Sequence, residues 1–224
     1  MRHEVAIRRV LYEIPGMRSV TVREEEFPGA DGQPLPMRIY QALNPIADPP
    51  PAVVIVAGYP DSGYVQHVGW RFMDIEWSIS MAQLIAASGM VAITHSNRDP
   101  EPDAIALIDY VSKKGGAVGV WGISGSGPVA ISVMSNARCG VLINPVTKGI
   151  CPGVPAFIAR AGQDDTPGLN AALDLLVPVA LAENKPLTLV NYPEAPHAFD
   201  LFRDAPETGR ILQQGLDFLR AHLM

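Results

Sequence analysis

An α/β domain with a mostly parallel central sheet and helices on both faces is the fold class this sequence predicts, on three observations. From residue 52 onward, apolar runs of strand length alternate with segments of helical length. The run at 52–57, Ala-Val-Val-Ile-Val-Ala, is apolar at every position, as a strand covered on both faces must be. The stretch 119–127, Gly-Val-Trp-Gly-Ile-Ser-Gly-Ser-Gly, reads as a strand that enters a tight glycine turn and leaves as a helix.

The elements follow in order. The first fifty residues alternate charged and apolar positions without a strong helical period. Residues 20–27 and 37–40 are predicted strands, divided by a Gly/Pro turn at 28–36. A proline-rich connection at 45–51 follows, and this region reads as two edge strands with no chemistry. The central strand 52–57 ends in the loop 58–63, Gly-Tyr-Pro-Asp-Ser-Gly. A helix is predicted over 76–88, stopped by Gly89. The strand 91–94 closes at His95, and Pro102 is the expected first residue of a helix over 103–112. After the glycine turn a helix runs to about residue 136, followed by strands at 141–144 and 155–159. Pro178 lies inside the predicted helix 169–184 and should kink or split it. The last strand is 187–191. Ile211, Leu212, Gly215, Leu216, Leu219 and Leu223 then give a closing helix one apolar face.

Composition narrows the classes of function. The 224 residues are 48% apolar and 18% charged, a core-rich globular balance that reads as a single domain spanning 1–224. A net charge of -6, with no basic run longer than a pair, gives nucleic acid no electrostatic footprint. No apolar stretch reaches the roughly 18 residues of a membrane span, and the polar N-terminus predicts neither export nor a membrane partner. Cys139 and Cys151 form neither a CxxC pair nor a disulfide framework, so buried free thiols and a cytoplasmic location are expected. Oligomeric state stays open, a homo-oligomer included.

Ligands of parallel sheets gather at the C-terminal ends of the strands, so residues with chemistry should lie there. Ser124 sits in the glycine turn between Gly122 and Ser126, a nucleophile elbow of the G-x-S-x-G kind with Ser at the last small position. Asp164 and Asp165 follow the strand 155–159, and His197 follows the strand 187–191. The three types work together chemically. A serine hydroxyl is a weak nucleophile until an imidazole takes its proton, and a carboxylate on the other ring nitrogen fixes the tautomer. Acyl transfer also needs oxyanion donors. The N–H of Gly125, directly after the serine, is one. Tyr59, in the loop after the central strand, offers the other, because Pro60 has no N–H to give.

The segments V-W-G-I-S-G-S-G, A-R-A-G-Q-D-D-T-P-G-L-N and N-Y-P-E-A-P-H-A-F-D resemble the α/β-hydrolase fold, and within it the dienelactone hydrolase family. The similarity covers residues from about 51 to the C-terminus. It implies Ser124 as nucleophile, His197 as base and Asp164 as the carboxylate, with Asp165 its near rival. The family's namesakes carry Cys at the elbow, and Ser here favours a general ester or other acyl substrate over a dienelactone. The expected activity is hydrolysis of a small-molecule ester, with no cofactor and no metal. Acyltransfer or peptide cleavage on the same three residues, and a non-catalytic binding protein that kept the pocket, are the alternatives. Only 145–154 separates two strands where relatives insert a cap, so no cap domain is expected. The segment 61–77, with Tyr64, Trp70, Phe72 and Trp77, is either ordinary packing or one wall of the pocket.

Competing motifs fail on spacing. Gly122, Gly125 and Gly127 run G-x-x-G-x-G instead of G-x-G-x-x-G, and no Lys follows, so neither dinucleotide nor P-loop binding fits. Histidines and cysteines show no ligand spacing. His95 is a lesser candidate base or a pocket-lining residue, and His3, His67 and His222 read as surface or structural. Ser126 falls inside the first helical turn, Asp200 is too near His197 to serve it, and Glu24, Glu25 and Glu26 form a solvated face.

Overall fold

The computed structural model describes residues 6–43, 45–148 and 151–224; His3 lies outside them. Eight strands form one sheet: β1 (Thr21–Pro28), β2 (Pro34–Gln41), β3 (Ala52–Ile55), β4 (Val91–His95), β5 (Val118–Ile123), β6 (Cys139–Ile143), β7 (Ala156–Ala161) and β8 (Leu187–Tyr192). Their spatial order is β1-β2-β4-β3-β5-β6-β7-β8. The β1–β2 hairpin and the β2–β4 pair are antiparallel, and every other pair is parallel. The expected sheet is therefore present and both expected N-terminal strands form, but only β1 is an edge strand: β2 pairs with β1 on one side and β4 on the other, so it lies inside the sheet.

The α-helices lying wholly within the described residues are α1 (Asp61–Val68), α2 (Glu76–Ala87), α3 (Pro100–Ser112), α4 (Gly127–Val133), α5 (Leu169–Ala182), α6 (Phe199–Phe202) and α7 (Pro206–Leu223), alongside short 3-10 turns. Alternation along the strands divides the core into two layers. Val53, Ile55, Trp121 and Val141 face α2 and α7, whereas Val54, Val56, Val120 and Leu142 face α3, α4 and α5. All six residues assigned to the apolar face of the closing helix are buried.

Several boundaries differ from expectation, each for a local reason. The helix expected from Pro102 begins at Pro100, because Asp103 accepts the backbone N–H groups of Arg98 and Asp99 at 2.7 and 3.0 Å. That carboxylate satisfies the free donors ahead of the first turn. The loop expected at 58–63 becomes α1 from Asp61, a helix that buries no residue and so has no apolar face to read. Pro178 does not split α5. It lies on the exposed side, where the Asp174 carbonyl that a proline N–H cannot serve has solvent within reach. Cys139 is buried as expected, and burial pushes its thiol up to about 12; Cys151 is only half-buried.

Between β6 and β7 no helix occurs among the described residues, so no cap rises from that connection. No helix among the described residues is long and apolar enough to cross a membrane.

Candidate active site

The turn after β5 holds Ser124 at φ 46°, the left-handed region that L-residues rarely adopt. Its neighbours explain how that conformation is kept. A Cβ on Gly122 would lie 2.6 Å from Ala130 Cβ, and one on Gly127 would lie 2.2 Å from the Val146 carbonyl oxygen. Only glycine lets strand, turn and following loop pack this closely. Ser126, which stands where the motif has glycine, is buried and braces the turn. Its Oγ accepts the Ile123 N–H and donates to the Ile123 carbonyl, both at 2.7 Å. Its one donor is therefore committed to the turn's own backbone rather than to an imidazole.

Ser124 Oγ donates to His197 Nε2 at 2.8 Å, and His197 Nδ1 donates to Asp164 Oδ2 at 2.6 Å. The structure thus brings together the three residues chosen from three strand ends. Asp164 rather than Asp165 faces the imidazole. The Asp164 side chain is fully buried while His197 remains 28% exposed, so the carboxylate is shielded and the ring meets the cavity. The second carboxylate oxygen, Oδ1, accepts the Thr166 N–H at 2.9 Å. Asp164 is therefore both an Asx-turn residue and the partner of the histidine, two roles the sequence sets against each other.

Backbone pairing holds the two loops in register. The N–H of Gly162 donates to the Tyr192 carbonyl and that of Gln163 to the Ala195 carbonyl, both at 2.8 Å. A Cβ on Gly162 would meet the Pro193 carbonyl oxygen at 2.4 Å, which keeps the acid loop tight against the histidine loop. Ala198, directly after the histidine, takes φ 52° and ψ 45° before α6.

Tyr59 and Gly125, the two proposed oxyanion donors, both line the cavity beside Ser124. The loop after β3 presses on the elbow: a Cβ on Gly58 would lie 2.3 Å from the Gly125 carbonyl oxygen. The Tyr59 N–H donates to no backbone carbonyl among the described residues, so it is free for a ligand oxygen. The cavity measures about 620 Å³ and is predominantly aromatic and aliphatic. Of the aromatics in 61–77, Tyr64, Phe72 and Trp77 line it, whereas Trp70 is exposed and does not. A larger open groove of about 940 Å³, beside Tyr12 and Thr208, contains none of the three residues.

Other candidates fall away. His95 is buried and does not line the cavity; its Nδ1 donates to the Ser96 carbonyl at 3.0 Å and its ring meets Phe27 edge-on. Burial lowers its affinity for a proton, so neither the base nor the lining role holds. His67 and His222 are exposed. No group of three metal-ligating side chains occurs among the described residues.

Two neighbours escaped the sequence reading. Asn144, at the end of β6 with φ 36°, sets its amide 3.4 Å from His197 Nδ1. Its signal was being the one polar residue ending an apolar strand. Asp200 is fully buried, and its Oδ2 accepts the Trp77 Nε1–H at 2.6 Å while Oδ1 has no partner. Burial pushes this carboxyl up to about 6. Its folded value lies above the unfolded one, so the folded protein binds the extra proton between about pH 4 and pH 6, and stability from this group falls as pH rises through that window. The stability of Asp200→Asn relative to wild type is accordingly expected to improve by on the order of 2 to 3 kcal/mol from pH 4 to pH 7. Denaturant titrations at the two pH values measure it, and a constant difference would refute it.

Comparison with solved structures agrees with this architecture. The chain superposes on an esterase of Pyrobaculum calidifontis with a TM-score of 0.66 at 15% identity, covering 91% of this chain and 86% of that one. A brefeldin A esterase, described as a bacterial homologue of human hormone-sensitive lipase, gives 0.74 at 13% identity over 98% and 81% of the two chains. A bacterial heroin esterase gives 0.70 at 14% identity over 96% and 87%. The likeness establishes the α/β-hydrolase fold. No family model matches the chain, and no curated protein matches it in sequence.

Proposed function

We propose that this protein is a serine hydrolase that cleaves a carboxylic ester or related acyl bond of a small molecule. The observation that carries this reading is the hydrogen-bonded line from Ser124 through His197 to the buried Asp164, opening on an apolar cavity. His197 takes the Ser124 proton as Oγ adds to the ester carbonyl, and the N–H groups of Tyr59 and Gly125 hold the oxygen that becomes negative. The imidazolium then returns the proton to the departing alkoxide, leaving an acyl group on Ser124. Water, activated by the same imidazole, releases the acid. Asp164 keeps the Nδ1–H tautomer and stabilises the imidazolium throughout. No cofactor enters these steps.

The three segments that resemble dienelactone hydrolases support placing the chain near that group, and Ser at the elbow widens its substrates to general esters. Residues 1–224 then form one domain, and the two unpaired cysteines suit a cytoplasmic enzyme. Intact mass after treatment with a fluorophosphonate, followed by peptide mapping, tests it. One adduct on Ser124 is expected, retained in Ser126→Ala and lost in Ser124→Ala. Well-folded protein that takes up no label would refute the reading.

A further inference from the structure

The cavity beside Ser124 carries an unusual balance of groups. Four rings follow one another along its wall: Tyr59 to Tyr64 at 6.0 Å between centroids, Tyr64 to Phe72 at 5.2 Å, and Phe72 to Trp77 at 5.9 Å. All four line the cavity. No lysine or arginine lines it among the described residues, and its one carboxylate is Asp165. Asp164 is committed to His197 and Thr166, but Asp165 makes no hydrogen bond or ion pair among the described residues and is exposed. Arg8 is not itself a lining residue, but its guanidinium lies 4.8 Å from the centroid of Phe202, a ring that does line the cavity.

Ring faces carry negative charge density, and a carboxylate carries a full one. An anion entering this cavity would lose water and find no lysine or arginine among the described lining residues to replace it, whereas a cation would find both an aromatic surface and a counter-charge. The net charge of -6 adds the same sign at longer range. We propose that the cavity selects esters whose non-reacting part is a ring carrying a positive charge, the ring resting on the aromatic wall and the charge facing Asp165. The inference rests on this cavity being the substrate site of the proposed hydrolase. It also gives a use to the second aspartate of the Asp-Asp pair, which the histidine leaves idle.

Three meta-substituted phenols of different charge separate this selectivity from the chemistry: 3-(trimethylammonio)phenol, its neutral isostere 3-tert-butylphenol, and the anion 3-hydroxybenzoate. Their binding to the full-length wild type and Asp165→Asn is measured by titration calorimetry, which does not require Ser124 to react. The cation is expected to bind most tightly and the anion least. Because Asp165 is exposed, its charge should contribute modestly, so the cation-to-neutral affinity ratio falls by about three- to tenfold in Asp165→Asn. Raising the salt concentration should narrow the ratio in wild type and leave the variant nearly unchanged. Equal affinities for the three phenols, tightest binding of the anion, or a ratio unaltered in Asp165→Asn would overturn the proposal. Fluorophosphonate labelling of the same preparations judges the serine reading separately. An adduct on Ser124 with no charge preference refutes only the selectivity, whereas charge-dependent binding without an adduct refutes the hydrolase, and ester selection with it, leaving only a cation-binding cavity.

Discussion

Ser124→Ala is expected to lower kcat/KM towards any ester substrate by about ten-thousand-fold or more, while the folded structure stays intact. Both halves of this expectation come from the elbow. The Ser124 hydroxyl makes its hydrogen bond to His197 alone, so removing it orphans no buried structural group. The backbone tie at this residue, the Val146 N–H donating to the Ser124 carbonyl at 3.0 Å, does not depend on the side chain. Alanine meets the same left-handed backbone cost as serine, so the melting temperature should stay within a few degrees of wild type. Initial rates on a p-nitrophenyl ester, with circular dichroism melts of the same samples, measure both. Turnover retained within tenfold of wild type would remove Ser124 from the mechanism.

Asp164→Asn should cost nearly as much, about ten-thousand-fold in kcat, and for a different reason. The asparagine oxygen still accepts the Thr166 N–H, so the turn survives. Its NH2 group, however, faces His197 Nδ1, where the carboxylate accepts a hydrogen bond at 2.6 Å. The imidazole then carries its proton on Nε2, donates towards Ser124 instead of accepting from it, and cannot act as the base. Asp165→Asn touches neither contact and is expected to change kcat by less than tenfold on a neutral ester. Paired kinetics of the two variants decide between the neighbouring carboxylates, and a reversed order would assign the role to Asp165.

The alternation of predominantly apolar strands with helices made the sheet legible, because central strands buried on both faces carry few polar positions. The same reading failed at α1, whose eight residues bury nothing, and at α6, a single turn after His197. Neither has an apolar period for a sequence to display. At the site, Ser124, Asp164 and His197 were legible because each follows a strand and strand ends converge in space. The resemblance ranked Asp164 over Asp165, but adjacent residues share every pattern, and it is the pairing of Gly162 and Gln163 with Tyr192 and Ala195 that turns Asp164 towards the ring. The sequence excludes Asp200 as the partner of His197, three residues away, but does not show where it lies. Its burial against Trp77 joins residues 123 positions apart, a contact that no local pattern carries.

Ser124 and His197 are separated by 73 residues, and the base arrives only on the loop that follows the final strand. Under the proposed mechanism, a chain still being synthesised therefore carries Ser124 long before His197 can take its proton. Until β8 pairs with β7, the serine is an ordinary alcohol, inert towards the esters around it. Reactivity at Ser124 thus reports completion of the sheet's last edge, and a chain cut short before that edge carries the elbow but remains chemically silent.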